Sequence, residues 1–311
     1  MKVEIDLLIT VNSYKFKQNI YILHKMKIIT ITIIVLMTTL SAISQGFYYA
    51  VAKEPTPVLN SPDFEAVFGG SDGMSVKTDN SGLIREMEFI ALPGTVFELL
   101  GEFDHGTYKI YKVECKEYEY GSELFIDSRF VELKKSRPSE RFVALPKKED
   151  IYKVLDKVVG SRYCWGGNYN DGIKKLIELY QPKGEITDGV KNEWMLTGCD
   201  CSGLMYEATG GFTPRNTSKL VDYGSPVEIE GLSAEEIAAK CKPLDMIVWN
   251  GHVIYVYDEK TSIQSSLSKG GVLKLDLVET LSDLMSSRTP VNDYNSSEGS
   301  RFVIRRWYSD N

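Results

Sequence analysis

The sequence predicts an α+β protein in two parts, a small all-β region followed by a region in which helices gather ahead of an antiparallel sheet. Three observations predict it. Short strand-like runs separated by turn clusters fill the stretch from Ala50 to about Leu145. Helical periodicity opens the stretch after Lys147. β-Branched and aromatic runs then return from Leu244 to the end of the chain. Helices placed before strands, rather than alternating with them, argue against a doubly wound parallel sheet.

In chain order, the predicted strands of the first part are Glu88–Leu92, Thr95–Leu100, Tyr108–Glu114 and Leu124–Asp127. Pro93-Gly94 and Tyr120-Gly121-Ser122 supply turns between them. This is the pattern of a small β-barrel. Lys134–Glu140 has the composition of a charged linker, which places the expected boundaries at 1–44 for an N-terminal extension, 45–146 for the barrel and 147–311 for the mixed region. Apolar residues at Ile151, Val154, Leu155 and Val158 put one buried face on a helix over Lys148–Val159. The stretch from Asn168 to Trp194 exceeds what the core needs and is expected to wall a cleft. Ser233-Ala234-Glu235-Glu236 is a capping-box signature. Leu244–Tyr257, Ser262–Ser266, Val272–Leu277 and Arg301–Tyr308 read as strands and Val278–Met285 as a helix.

Near the start, Met26-Lys27 precedes the apolar run Ile28–Met37 and the small-x-small step Ala42-Ile43-Ser44, the layout of a signal peptide. The run is too short to span a bilayer and no lipid-attachment cysteine follows it, so export without stable membrane insertion is expected. The chain carries a net charge of −7. Removal of residues 1–44 takes away Lys2, Lys15, Lys17, Lys25 and Lys27 against Glu4 and Asp6, a further three positive charges net. Such acidity disfavours nucleic acid and anionic membrane surfaces as partners.

The chemistry concentrates in Thr197-Gly198-Cys199-Asp200-Cys201-Ser202-Gly203-Leu204 and Trp249-Asn250-Gly251-His252-Val253-Ile254-Tyr255. Asp200-Cys201-Ser202-Gly203 precedes the apolar stretch Leu204–Ala208, so Cys201 is expected in the first turn of a buried helix, where unpaired amides and the helix dipole favour a thiolate. The same amides suit an oxyanion. His252 heads a β-branched and aromatic strand. Of the three histidines, His24 lies beside the targeting segment and His105 in a polar turn, which leaves His252 as the candidate base. Alternation along an extended chain keeps Cys199 in play as a second candidate nucleophile. Zinc is disfavoured by the Cys-x-Cys spacing, and no metal or cofactor is expected. Five cysteines do not make a disulfide scaffold, and at least one stays unpaired.

Tyr163-Cys164-Trp165-Gly166-Gly167, Asp200-Cys201-Ser202-Gly203, Lys242–Val248 and Gly251-His252-Val253 follow one another in the order seen in the NlpC-type family of papain-like bacterial cell-wall cysteine peptidases, which the chain from Lys147 to Tyr308 resembles. The resemblance implies a papain-like catalytic domain preceded by an SH3-like barrel, and hydrolysis of the γ-D-glutamyl–diamino acid bond of peptidoglycan stem peptides or muropeptides in the periplasm or envelope. It selects Cys201 as nucleophile and His252 as base, with Tyr163, Trp165, Asp200 and Ser202 on the substrate side. It also implies a polar residue on the following strand that orients the imidazole. Gln264 fits best, with Ser262 and Ser265 as alternatives. Strand geometry adds a condition: His252 and Gln264 share a sheet face only if the connection holds an odd number of residues or a bulge. Arg215-Asn216-Thr217 matches a segment that meets the free amino end of a stem peptide, but Asn216 stands where an acid is expected, and an amide cannot pair with an ammonium. A wall-binding protein without activity, or an amidase or acyltransferase on the same scaffold, are the alternatives. Oligomeric state is not legible.

Overall fold

The first sheet is mostly buried, with the strands Thr56–Leu59 and Leu124–Asp127 covered along their whole length and the second half of Val96–Asp104 open to solvent. The computed structural model describes residues 48–296 and 298–309, so the export segment lies outside the described residues. Seven strands, β1 (Tyr49–Ala52), β2 (Thr56–Leu59), β3 (Met87–Ala91), β4 (Val96–Asp104), β5 (Lys109–Cys115), β6 (Leu124–Asp127) and β7 (Val131–Lys134), form a sheet in the order β3-β2-β6-β5-β4-β1-β7. Every pairing in it is antiparallel. The short helix α1 (Phe64–Val67) fills the long link between β2 and β3. Predicted and observed strands agree from β3 to β6 to within a few residues, while β1, β2 and β7 were not among the predicted strands.

The core under this sheet does not stop at the expected boundary. Phe64, Phe89, Phe97, Ile110 and Phe130 pack in one buried cluster with Cys164, Ile173, Leu176, Tyr180, Trp194 and Leu196. The stretch 168–194, including α3 (Lys175–Leu179) and α4 (Asp188–Trp194), therefore covers the first sheet rather than the cleft. Its hydrophobic side chains are spent there. Asn168 makes the join directly, its Oδ1 accepting from the Ile90 N–H at 2.9 Å and its Nδ2 donating to the Ile90 carbonyl at 2.8 Å. Tyr48–Asn311 forms one compact unit.

The second sheet is buried on both faces. Its strands β8 (Ser225–Val227), β9 (Met246–Trp249), β10 (His252–Val256), β11 (Thr261–Ser266), β12 (Gly271–Asp276), β13 (Thr289–Pro290) and β14 (Arg301–Arg306) run in the order β12-β11-β10-β9-β14-β13, with β8 beside β14. One face, carrying Val248, Val253, Tyr255 and Ile263, packs on α2 (Lys148–Val158) and α5 (Cys201–Ala208). The other, carrying Ile247, Ile254, Val256 and Ile304, packs on α7 (Ala234–Lys240) and α8 (Leu277–Met285). Double burial explains the unbroken apolar runs in the sequence. The predicted strand stretch Leu244–Tyr257 is two strands, with His252 at the head of the second as expected, because Asn250-Gly251 closes a hairpin in which Trp249 pairs with His252 and Gly251 takes φ of 107°. Ser233 and Glu236 form the predicted capping box at the start of α7. The fold class is α+β with antiparallel sheets. Among the described residues, no helix is long and apolar enough to cross a membrane.

Candidate active site

Cys201 is the first residue of α5, as the sequence predicts, because Asp200 occupies the N-cap and its carboxylate accepts the Gly203 N–H at 2.7 Å. Gly203 is required by close approach: a Cβ there would lie 1.9 Å from the Gly167 carbonyl oxygen. The first turn of the helix is thus pressed against the Tyr163–Gly167 loop. That contact is why two motifs distant in sequence meet.

Beneath the cysteine lies a closed polar network. The Arg215 guanidinium binds both carboxylate oxygens of Asp200, at 3.0 and 2.6 Å, and donates to the Ser202 hydroxyl at 2.9 Å and to Asn168 Oδ1 at 3.1 Å. Burial opposes its charge, and the paired Asp200 carboxylate outweighs that and keeps it protonated. Asp200, Ser202 and Arg215 hold the helix start in place; the guanidinium has its polar groups committed to protein acceptors.

His252 begins β10 and its Nε2 lies 2.8 Å from Gln264 Oε1. The parity condition is met, since the last paired residues, Val256 and Ser262, enclose the five residues 257–261. Ser262 and Ser265 are occupied elsewhere, Ser262 on Thr280 at 3.0 Å and Ser265 on the Cys199 carbonyl at 2.6 Å. Cys199 is fully buried and its carbonyl also receives the Cys164 N–H, so it is a strut in the wall behind the site. Cys201 packs in one buried cluster with Val253, the residue after His252, whose backbone N–H acts to lower the thiol pKa. The Asp200 charge acts on both Cys201 and His252.

The electrostatics correct one expectation. Burial, and next the Asp200 carboxylate, push the Cys201 thiol up to about 12, against the opposing pull of the Val253 N–H and Arg215. Burial also lowers the His252 pKa, with Gln264 and Asp200 acting the other way. Both shifts favour the neutral thiol and the neutral imidazole over the expected thiolate and imidazolium, because desolvation works against the helix terminus.

Two cavities flank these groups. One of about 390 Å³ is lined by Cys201, Tyr163, Trp165, Asp200, Ser202, Arg215, Asn216 and Thr217, so it gathers the predicted nucleophile and every predicted substrate-side residue. His252 and Gln264 border the other, of about 460 Å³, together with Trp249, Ile254 and Thr280. Burial raises the Tyr163 hydroxyl pKa, with the Asp200 and Cys201 charges acting the same way. Trp165 is 37% exposed at the cavity mouth. Asn216 is the N-cap of α6 (Thr217–Leu220) without a side-chain capping bond, and the Thr217 hydroxyl accepts the Gly251 N–H at 3.0 Å. None of residues 168–194 lines the first cavity, in contrast to the expectation for that stretch. Instead Arg85, Met87, Glu88, Tyr118 and Tyr120 from the first sheet and its loops form the far wall. Sequence reasoning missed these five, and no local motif could have found them. Among the described residues no cluster of His, Cys, Asp and Glu is arranged to hold a metal ion.

No family model matches the chain, and no curated protein matches it. Among solved structures it is similar to an NlpC/P60 family protein from Bacillus cereus, at 16% identity over 86% of this chain and 65% of that one, with a TM-score of 0.31. It is also similar to NlpC2 from Trichomonas vaginalis, at 13% identity over 86% and 99%, TM-score 0.34. A third is the peptidoglycan hydrolase RipB from Mycobacterium tuberculosis, at 18% identity over 53% and 70%, TM-score 0.30.

Proposed function

We propose that the chain is an exported cysteine peptidase of the bacterial cell envelope that hydrolyses the γ-D-glutamyl–diamino acid bond of peptidoglycan stem peptides. The observation that carries this reading is the His252–Gln264 hydrogen bond of 2.8 Å, made by a histidine whose neighbour Val253 shares a buried cluster with Cys201, the first residue of a helix. Gln264 fixes the ring through Nε2, which leaves Nδ1 as the atom that exchanges protons. A neutral His252 takes the thiol proton as the Cys201 sulfur attacks the γ-carbonyl, so the thiolate exists only while substrate is present. First-turn amides of α5 stabilise the tetrahedral oxyanion. His252 then protonates the leaving amine and, in the second half, deprotonates the water that frees the acyl group. Glu88, which accepts from Tyr118 at 2.6 Å and from Asn60 at 2.7 Å, places a fixed carboxylate on the cavity wall and supports a substrate with an ammonium group. Glu88 lines the same cavity as Asn216, which carries no charge.

The test is mass spectrometry of muropeptides after incubation with the protein. Wild type is expected to release the γ-glutamyl fragment, and Cys201→Ala to slow that release by about four orders of magnitude or more. A Cys201→Ala protein working at wild-type speed would sink the proposal.

A further inference from the structure

The cavity beside Cys201 is lined by two cations, Arg85 and Arg215. Arg215 is consumed by Asp200, Ser202 and Asn168. Arg85 is different. Its Nε donates to Asp79 Oδ2 at 2.6 Å, its guanidinium carbon stands 4.4 Å from the centroid of the Trp165 ring, and its two terminal nitrogens have no hydrogen-bond partner among the described residues. Asp79 is itself held by the loop it heads, accepting the Ser81 and Leu83 N–H groups at 2.8 and 3.0 Å, and the Arg85 carbonyl is tied to Asn60 Nδ2 at 3.0 Å. One edge of the guanidinium and one of its faces are fixed, while the outer edge is left for a guest. A planar fork held in this way suits a carboxylate, which it can meet with two parallel N–H donors. Stacking on an exposed tryptophan keeps the side chain from swinging away.

This inference rests on the peptidase reading. When glutamate is joined through its γ-carboxyl, its α-carboxylate remains free and lies only a few bonds from the carbonyl under attack, so it must enter the same cavity as the sulfur. We infer that Arg85 binds this α-carboxylate and makes the protein selective for D-glutamyl stems over stems in which the group is amidated to D-isoglutamine. Arg85 is a specificity-determining residue supplied by the loop before β3, outside the region that carries the reacting groups.

The experiment compares two synthetic tripeptides that differ only in a carboxylate or a carboxamide at that carbon. Wild type is expected to favour the carboxylate by about 10- to 100-fold in kcat/KM, mainly through KM. Arg85→Gln should bring the ratio to within about threefold, with most of the change falling on the acidic peptide, and Arg85→Lys, which keeps the charge without the fork, should fall between. Thermal melting checks that the variants are folded, and the ratio is internal to each protein. A wild-type ratio near one, or an Arg85→Gln ratio equal to that of wild type, overturns the inference while leaving the peptidase reading intact. If wild type cuts neither peptide, the peptidase reading itself has failed and the role of Arg85 falls with it.

Discussion

The two sheets divide the labour of the site. The second sheet and its helices hold the proposed reacting groups in near-dry surroundings, where the Arg215 network and the His252–Gln264 pair match polar atoms to protein partners. The first sheet offers half-exposed side chains, Arg85, Glu88 and Tyr120, to whatever enters. In the proposed mechanism, chemistry sits where desolvation is strong and recognition where the groups can still exchange water for a ligand. Substitutions in the two regions should therefore fail differently.

The largest effect is expected from Arg215→Ala, which strands the Asp200 carboxylate in a buried position and should cost about 3–5 kcal/mol in chemical denaturation. Equal stability of this variant and wild type would mean the network is not a structural keystone. Glu207 on α5 comes next. Burial raises it from 4.5 to about 7, opposed by the Asn170 N–H. The folded protein thus holds a proton that the unfolded chain has lost, so stability falls as pH rises from about 4.5 to 7 and the full penalty applies above that. At about 1.4 kcal/mol per pKa unit the penalty is on the order of 3 kcal/mol. Glu207→Gln should shrink the difference in Tm between pH 5 and pH 8, and an unchanged difference would refute the assignment.

A thiol at about 12 predicts that iodoacetamide reacts with Cys201 in the empty site at a rate that climbs about tenfold per pH unit from 7 to 10 without levelling. A plateau below neutrality would instead reveal a resting ion pair and narrow the contrast between the regions. The smallest effect belongs to the first sheet: Glu88→Gln should raise KM for a peptide with a free amino end by about three- to tenfold and leave kcat within about twofold. A loss confined to kcat would show that the first sheet takes part in the chemistry after all.

The same division explains what could be read in the sequence. Cys201 at a helix start and the capping box at Ser233 depend on neighbours within a few residues, so local pattern sufficed, whereas the parity that brings Gln264 to His252 stood as a condition until the register of β10 and β11 met it. The two-residue turn at Asn250-Gly251 was likewise legible, since it sets His252 at the head of its strand. The far wall could not be seen. Arg85, Glu88 and Tyr118 reach the cavity through contacts with residues far along the chain, and nothing in their own surroundings marks them. The state of the thiol was hidden for a related reason, since the extent of desolvation at Cys201 is a property of the whole packed interior.

Asn168 closes the matter of what can be cut apart. By presenting a carboxamide to both polar groups of Ile90 it imitates one residue of an additional strand, and it does so with no side-chain surface exposed. A fragment starting near residue 147 would lose that mate and leave Trp194 and Leu196 facing water, so it should precipitate on expression; the recognition wall is no more detachable than a hinge from its door.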